Sequence, residues 1–407
     1  MKTKPGLKEE IALAYSAADT DRAEPRLTPW LTFLFALTAA LAVANVYFAQ
    51  PLLDSMAASM HVQPGAIGFV VTMTQVGYAV GLLFIVPLGD LVNRKYLAIA
   101  QLILLASALT IAGLSQRWLM FLGAMAVVGI MAVVVQIVVA YTASLAAPTQ
   151  RGKAVGIVTS GVVLGILLAR LTSGVIADLA GWRAVYLSAA SLMLLLAGVL
   201  SQAIPAPRKK PMEGTYRTLM ASVFHLLMTE QTLRVRGVFA LLIFAAFSIL
   251  WTAMVLPLSA QSLSHTQIGL FGLAGIAGAL AASKAGRWAD QGAGQRVTGI
   301  ALALLLFSWV FIARAETSLL LLVLGVILLD FAVQAVHVTN QSLIFAARPD
   351  AQSRLVGAYM CFYSAGSALG AVVATQCYAL WGWYAVCWAG AGISAAALIF
   401  WLALQKK

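Results

Sequence analysis

Charge is what this sequence has least of. Asp, Glu, Lys and Arg supply 10% of its 407 residues, against about 25% in a soluble domain. A chain so poor in charge cannot hydrate its whole surface, which excludes an ordinary water-soluble globule. Cysteine is scarce too. Cys361, Cys377 and Cys387 all fall late in the chain and are odd in number, so they supply neither a disulfide framework nor a metal motif. The four histidines form no H-E-x-x-H pair. There is no G-x-x-x-x-G-K loop and no polar segment long enough to hold a nucleotide. No cofactor is therefore expected, and an enzymatic reading has no clustered nucleophile to rest on. The opening residues, "MKTKPGLKEEIALAYSAADTDRAEPRLTP", mix both signs of charge and lack the form of a signal peptide. Residues 1–29 read as a cytoplasmic tail.

What the chain does have is apolar length. Hydrophobic residues make up 62%, and the mean hydropathy is +0.92. The runs are continuous rather than alternating, which favours membrane-spanning helices over a barrel. They place helices 1 to 12 near 30–50, 66–88, 96–115, 118–145, 154–178, 182–204, 237–260, 267–289, 297–314, 317–346, 355–379 and 382–404. An even number puts both termini on one side. Of the 26 Lys and Arg, Arg117, Arg183 and Arg314 fall on the opposite side and Arg170 lies within a span. All the others lie on the side of the termini. By the positive-inside rule that side is cytoplasmic. The net charge of +12 is thus a matter of topology, and no nucleic-acid partner is needed to explain it.

Residues 205–236 are the longest polar interruption and divide the spans six and six. Tyr216, Leu219, Met220, Val223 and Leu227 recur there at helical spacing, as in an amphipathic helix on the membrane surface. The expected organisation is a six-helix bundle at 30–204, this loop, and a second bundle at 237–404.

The two bundles repeat one another. "AAPTQRGKAVG" (146–156) matches "AARPDAQSRLVG" (346–357), and "GWRAV" (181–185) matches "GWYAV" (382–386). An offset of 201 pairs Pro148 with Pro349, Gly156 with Gly357 and Gly165 with Gly366. Asp90 in "PLGDLVNRK" and Asp290 in "GRWADQGAG" also fall at like places. Repeated halves of this sort are a transporter architecture, with substrate held between the halves near mid-membrane.

Polar residues inside the spans are the candidate site. In "LLDFAVQAVHVTNQ" (328–341), Asp330, Gln334, His337 and Gln341 fall within roughly a 60° arc of helix 10, with Asn340 beside them. Their repeat mates Gly129 and Val133 are apolar, and only Gln136 is polar. The stripe is therefore peculiar to the second half. Burial favours the neutral acid, so Asp330 is a candidate proton carrier, with His337 as a second titrating group. A purely hydrogen-bonded network is the alternative. Arg170 is the one basic residue deep in a span and must meet water, an anion or a carboxylate. On helix 1, Tyr47, Gln50 and Asp54 share a face near the outer mouth, Asn45 sits deeper, and Pro51 bends the helix. Gln75 and Tyr78 interrupt helix 2.

The residues "GDLVNRK" (89–95) and "GRWADQGAG" (286–294) resemble the loop motif of the major facilitator superfamily. "NVYFAQPLLD" (45–54) is similar to the helix 1 signature of a bacterial subgroup that includes sugar-efflux and drug:proton antiporters. The chain departs from the loop motif at Val86 and Asn93, and its helix 5 lacks the central proline of that subgroup. The resemblance spans residues 30–404. It implies an all-α fold of twelve helices in two pseudo-symmetric bundles. It also implies a bacterial inner-membrane location, a monomeric unit, and secondary transport of a small molecule driven by protons, more in the sense of export than of uptake or facilitated diffusion. It assigns Asp90, Arg94 and Lys95, with Asp290 and Arg287 as counterparts, to a cytoplasmic gate; anchoring at the membrane surface is the competing role. It implies that Arg170, Gln136, Asn45, Tyr47, Gln50 and Asp54 join Gln334, Asn340 and Gln341 around the substrate.

Overall fold

The computed structural model describes residues 27–146, 150–204, 216–278, 280, 288–347 and 352–405. Regular structure among them is helical throughout. Helices 1 to 6 are Pro29–Met60, Pro64–Phe84, Arg94–Leu114, Trp118–Leu145, Lys153–Ala180 and Trp182–Ala203. Helices 7, 9 and 10 are Gln231–Ala260, Gln291–Ile312 and Leu319–Ile344. Helices 11 and 12 share the stretch Leu355–Gln405 and part at Gly382. Helix 8 opens with His265–Leu270 and a 3-10 turn at Phe271–Ala274. Most of its remaining expected course, Arg287 included, lies outside the described residues, as do the tail before Leu27 and the side chains of Asp90 and Asp290. At ~1.5 Å per residue, about 20 residues suffice to cross the hydrocarbon layer.

Within the first half, helix 1 packs on 5, 2 on 4, and 3 on 6. Within the second, helix 7 packs on 11 and helix 9 on 10. Between the halves, helix 2 lies against helix 11 and helix 5 against helix 8. Leu27 and Gln405 end on one face, here the terminal face; the opposite one is the distal face. Large apolar side chains such as Leu119, Leu179, Leu320 and Trp388 point outward, as they do when the surrounding solvent is lipid.

The repeat seen in the sequence recurs in the packing. A Cβ on Gly165 would stand 2.2 Å from the Ala40 carbonyl oxygen, and one on Gly366 would stand 2.1 Å from that of Leu241. Both members of each pair are related by the 201 offset, so helices 1 and 5 touch as helices 7 and 11 do. Absence of a side chain lets the backbones meet, which is how helices associate in lipid. The second half of the match is at the sharp joins: Gly181 (φ 82°) and Gly382 (φ 73°) both take left-handed backbone at the turn into the following helix. Gly165→Ala or Gly366→Ala places a methyl group against rigid backbone and should cost about 1–3 kcal/mol through overpacking. Thermal unfolding in detergent should show a clear fall in Tm for both, while Gly357→Ala, with no atom within 4 Å of its Cβ, should not lower it.

Two boundaries differ from the sequence expectation. Helix 1 runs past residue 50 to Met60 by way of a 3-10 turn at Gln50–Leu52, where Pro51 interrupts the regular bonding. Helix 7 begins at Gln231, before the expected 237. Charge misled the reading there: Arg236 is only 5% exposed, turned into the bundle rather than toward water. A helix spans Tyr216–Thr229 within the expected loop, and the Tyr216 hydroxyl donates to the Phe84 carbonyl at the end of helix 2, 3.0 Å away.

Candidate functional site

The two charged residues singled out from the spans meet at the seam between the halves. Arg170 (helix 5) is 3% exposed and Asp330 (helix 10) is 4% exposed. They do not touch directly. The Trp251 indole of helix 7 stands between them. Its Nε1–H donates to Asp330 Oδ1 at 3.1 Å, and its face carries the Arg170 guanidinium, 3.7 Å from the ring centroid. Tyr47 and Phe247 complete the aromatic surround at 5.2 and 5.6 Å. The guanidinium edge is held from the other side, where Arg170 Nε–H donates to Gln50 Oε1 at 2.6 Å. A desolvated cation over an indole is worth about 2 kcal/mol or more, and the hydrogen bond to a carboxylate adds to it.

Glycines admit this arrangement. Gly269 and Gly272 bring helix 8 against the backbone of Arg170, and Gly275 leaves room beside Asp330 Oδ2. One guanidinium nitrogen, Nη2, is buried without a hydrogen-bond partner. A small cavity lined by Gln50, Pro51, Arg170, Trp251, Met254 and Ile268 adjoins the group. A buried donor left unpaired costs free energy unless something occupies its acceptor position.

A second contact across the seam joins the hydroxyls of Tyr47 (helix 1) and Tyr363 (helix 11). Gln75 lies against Tyr363, and Gln136 against Tyr78. The rest of the helix 10 stripe descends toward the terminal face. Gln334 is half-buried beside Gly278. His337 Nδ1 lies 3.0 Å from the Tyr359 hydroxyl and takes the edge or face of Phe244 at 5.1 Å. Asn340 is fully buried and shares long contacts of 3.4–3.5 Å with Tyr359 and Arg236. Gln341 is half-buried.

Other expected members lie elsewhere. Asn45 points into the first bundle. Its Nδ2–H donates to the Leu41 carbonyl at 2.8 Å and faces the Met193 sulfur of helix 6, so it does not share the seam. Back-bonding to the preceding turn is open to any short amide on a helix, and periodicity alone did not reveal it. Asp54 is exposed near the distal face. Arg94 donates to the carbonyls of Gly89 (2.9 Å) and Ala140 (3.2 Å), and Lys95 to that of Ile204. All three of these acceptors belong to the first half.

Two participants, Tyr363 and Arg236, carried no mark in the sequence. Tyr363 sits in a run where aromatics look like ordinary apolar filling, and Trp251 is expected near the path without an assigned partner. The 201 offset, however, pairs Trp251 with Gln50, and both touch Arg170. Arg236 was counted with the polar loop; its neighbours Thr298, Asn340 and Phe239 are all uncharged.

Comparison with known proteins agrees with this architecture. The profile of the Major Facilitator Superfamily matches residues 35–241 and 236–407. The chain is 43% identical to "Uncharacterized transporter YgaY" of Escherichia coli O157:H7 over 377 residues, 92% of this chain and 95% of that one. It is 32% identical to the transporter SCO4007 of Streptomyces coelicolor, covering 87% and 83%. Among solved structures, an inward-facing, occupied bacterial homolog of the human lysosomal transporter Spinster superposes with a TM-score of 0.74 at 13% identity, over 93% of this chain and 96% of that one. The nucleoside transporter NupG gives 0.72 at 13% identity, over 91% and 99%. This multi-pass chain of two matching helical halves, with named transporters among its relatives, belongs to the Major Facilitator Superfamily.

Proposed function

We propose that the protein exports a small molecule bearing an anionic group across the bacterial inner membrane in exchange for protons, as a monomer, by alternating access. The observation that carries this reading is the Asp330–Trp251–Arg170 arrangement at the seam. Asp330 is the one carboxylate among the buried side chains described, and it is bonded through an indole to a cation on the opposite half. Proton uptake by Asp330 removes the negative end of that arrangement and weakens the tie between halves. The free Nη2 of Arg170 is a ready donor for an anionic oxygen. Proton and anion then act on the same group of residues, which is what coupling of their movements requires.

Among the described residues, hydrogen bonds between the halves at mid-depth or nearer the distal face include Thr72 to Ala368 (2.9 Å), Thr375 to Gly65 (2.9 Å), and the Tyr47–Tyr363 pair. With the termini cytoplasmic, the distal face is the outer one, and these bonds hold it closed. Cysteine tags at Lys210 and Gln405 should both be reached only from the cytoplasm.

Purified protein in liposomes with an imposed pH difference tests the reading against a panel of organic anions and amphipathic compounds. Antiport predicts accumulation on the side with more protons. Accumulation in the opposite sense means proton-coupled uptake. Equilibration that ignores the gradient means facilitated diffusion, the reading in which Arg170 alone binds an anion and Asp330 holds the fold.

A further inference from the structure

The distal end holds a cluster the transport reading does not use. Asp178 closes helix 5 in the first half, and His265 opens helix 8 in the second. Asp178 Oδ1 accepts the His265 backbone N–H at 3.1 Å and lies 2.7 Å from its Nδ1. Oδ2 accepts the Thr266 N–H at 2.8 Å. One carboxylate therefore takes the first two amides of a helix N-terminus, where the helix dipole favours negative charge. Helix 8 supplies caps of its own for two other amides. Ser264 and Gln267 already form a reciprocal capping box there. The carboxylate is an addition from the opposite half. The other nitrogen of the ring, Nε2, meets Ser55 Oγ of helix 1. The imidazole is thus gripped on both nitrogens by the first half, and Gly174 lets the two backbones close up at the His265 carbonyl.

We propose that Asp178, His265 and Ser55 are the latch of the distal face, and that a proton on His265 tightens it. With a neutral ring, Nδ1–H donates to Asp178 and Nε2 accepts from Ser55. A charged ring keeps the first bond, turns it into an ion pair, and donates to Ser55 from Nε2. Nothing is lost and a Coulomb attraction is gained. Both side chains are about a quarter exposed (26% and 27%), so protons of the outer solution can reach the pair, and imidazole is the side chain suited to a switch near neutral pH. The other charged or imidazole side chains on elements packed against this helix include Lys153 and Arg170, turns deeper in helix 5, Asp330 and His337 on helix 10, and Asp54 and His61 on the distal part of helix 1. None forms an ion pair with His265. Within the transport reading, an acidic exterior then favours closing of the outward-open protein. The latch itself rests only on alternation between two faces, not on the role of Asp330.

The test measures opening without substrate or gradient. Spin labels at Leu179→Cys and Leu320→Cys, exposed on opposite halves at this face, report the separation of the halves once the three native cysteines are replaced. The measurement is made with Asp330→Asn present, so that coupling through that carboxyl does not contribute. The closed fraction should rise as pH falls from 8 to 5.5. Asp178→Ala should shift the closed-to-open ratio about tenfold toward open at each pH, the size of a lost helix cap. His265→Gln, which keeps hydrogen bonding to both neighbours, should hold the pH 8 distribution and show no response to acid. A distance distribution that Asp178→Ala leaves unchanged overturns the latch. So does an acid response that survives His265→Gln. Either result leaves the transport reading standing, since that reading is tested by flux.

Discussion

Asp330→Asn should abolish pH-driven accumulation while leaving substrate exchange measurable. The substitution preserves shape, and the amide oxygen still accepts the Trp251 Nε1–H that now reaches Asp330 at 3.1 Å. What disappears is the ability to hold and release a proton at the seam. For one proton per cycle, each pH unit supports about a tenfold concentration ratio. The wild type should approach that ratio in liposomes, and the variant should stay near unity at every gradient. Counterflow of labelled against unlabelled substrate, which needs no gradient, should continue. Thermal stability should fall by less than in an Arg170 truncation, because the hydrogen bond and the packing remain while Arg170 loses its nearby carboxylate. Wild-type accumulation by the Asn variant would rule out the coupling role. A variant that no longer folds would assign Asp330 to structure.

Arg170→Ala carries the second large effect, and here stability and function should fall together. The side chain ties three elements: Gln50 by its edge, Trp251 by its face, and helix 8 through the close approach at Gly269 and Gly272. Removing it strands the Gln50 carbonyl oxygen and leaves Asp330 without the nearby cation. Losing one member of a buried charged group typically costs about 3–5 kcal/mol, which should show as a drop in Tm well beyond that of Asp330→Asn. Arg170→Lys is the discriminating companion. An ammonium keeps the charge but lacks the flat, forked form that satisfies edge and face at once. It should restore much of the stability and little of the substrate affinity. Full affinity in the Lys variant would mean that Arg170 serves only as a positive charge and not as a shaped donor.

The sequence made the scaffold legible because membrane solvent imposes few options. Apolar length marks the spans, basic loops mark the sides, and the 201 offset marks the halves. It also exposed the charged members of the site, since a polar residue in a span such as Asp330 or Arg170 needs a reason to be there. Several things escaped it. Trp251 is expected near the path as an aromatic surface, but its N–H as the donor to Asp330 is invisible to periodicity. Asn45 matched the site by type but satisfies itself on its own helix. Arg236 was taken as a loop charge because a buried cation near a helix start reads like an anchor. Asp178 and His265 are far apart in the chain and sit at helix ends, where charged and polar residues are commonplace. Their partnership exists only once helices 5 and 8 are packed.

Gln50 and Trp251 occupy the same position of the repeat, and they hold one guanidinium, by its edge and by its face. The mate of Arg170 in the other half is Ala371. A pair of identical chains assembled about a twofold axis could offer only like against like: two amides, or two indoles, around two arginines or none. An edge-and-face clamp on a lone arginine is open only to copies whose sequences have diverged. The geometry at the centre of this protein therefore depends on the difference between its halves. A chimera built from two first halves would recover the scaffold and lose the clamp.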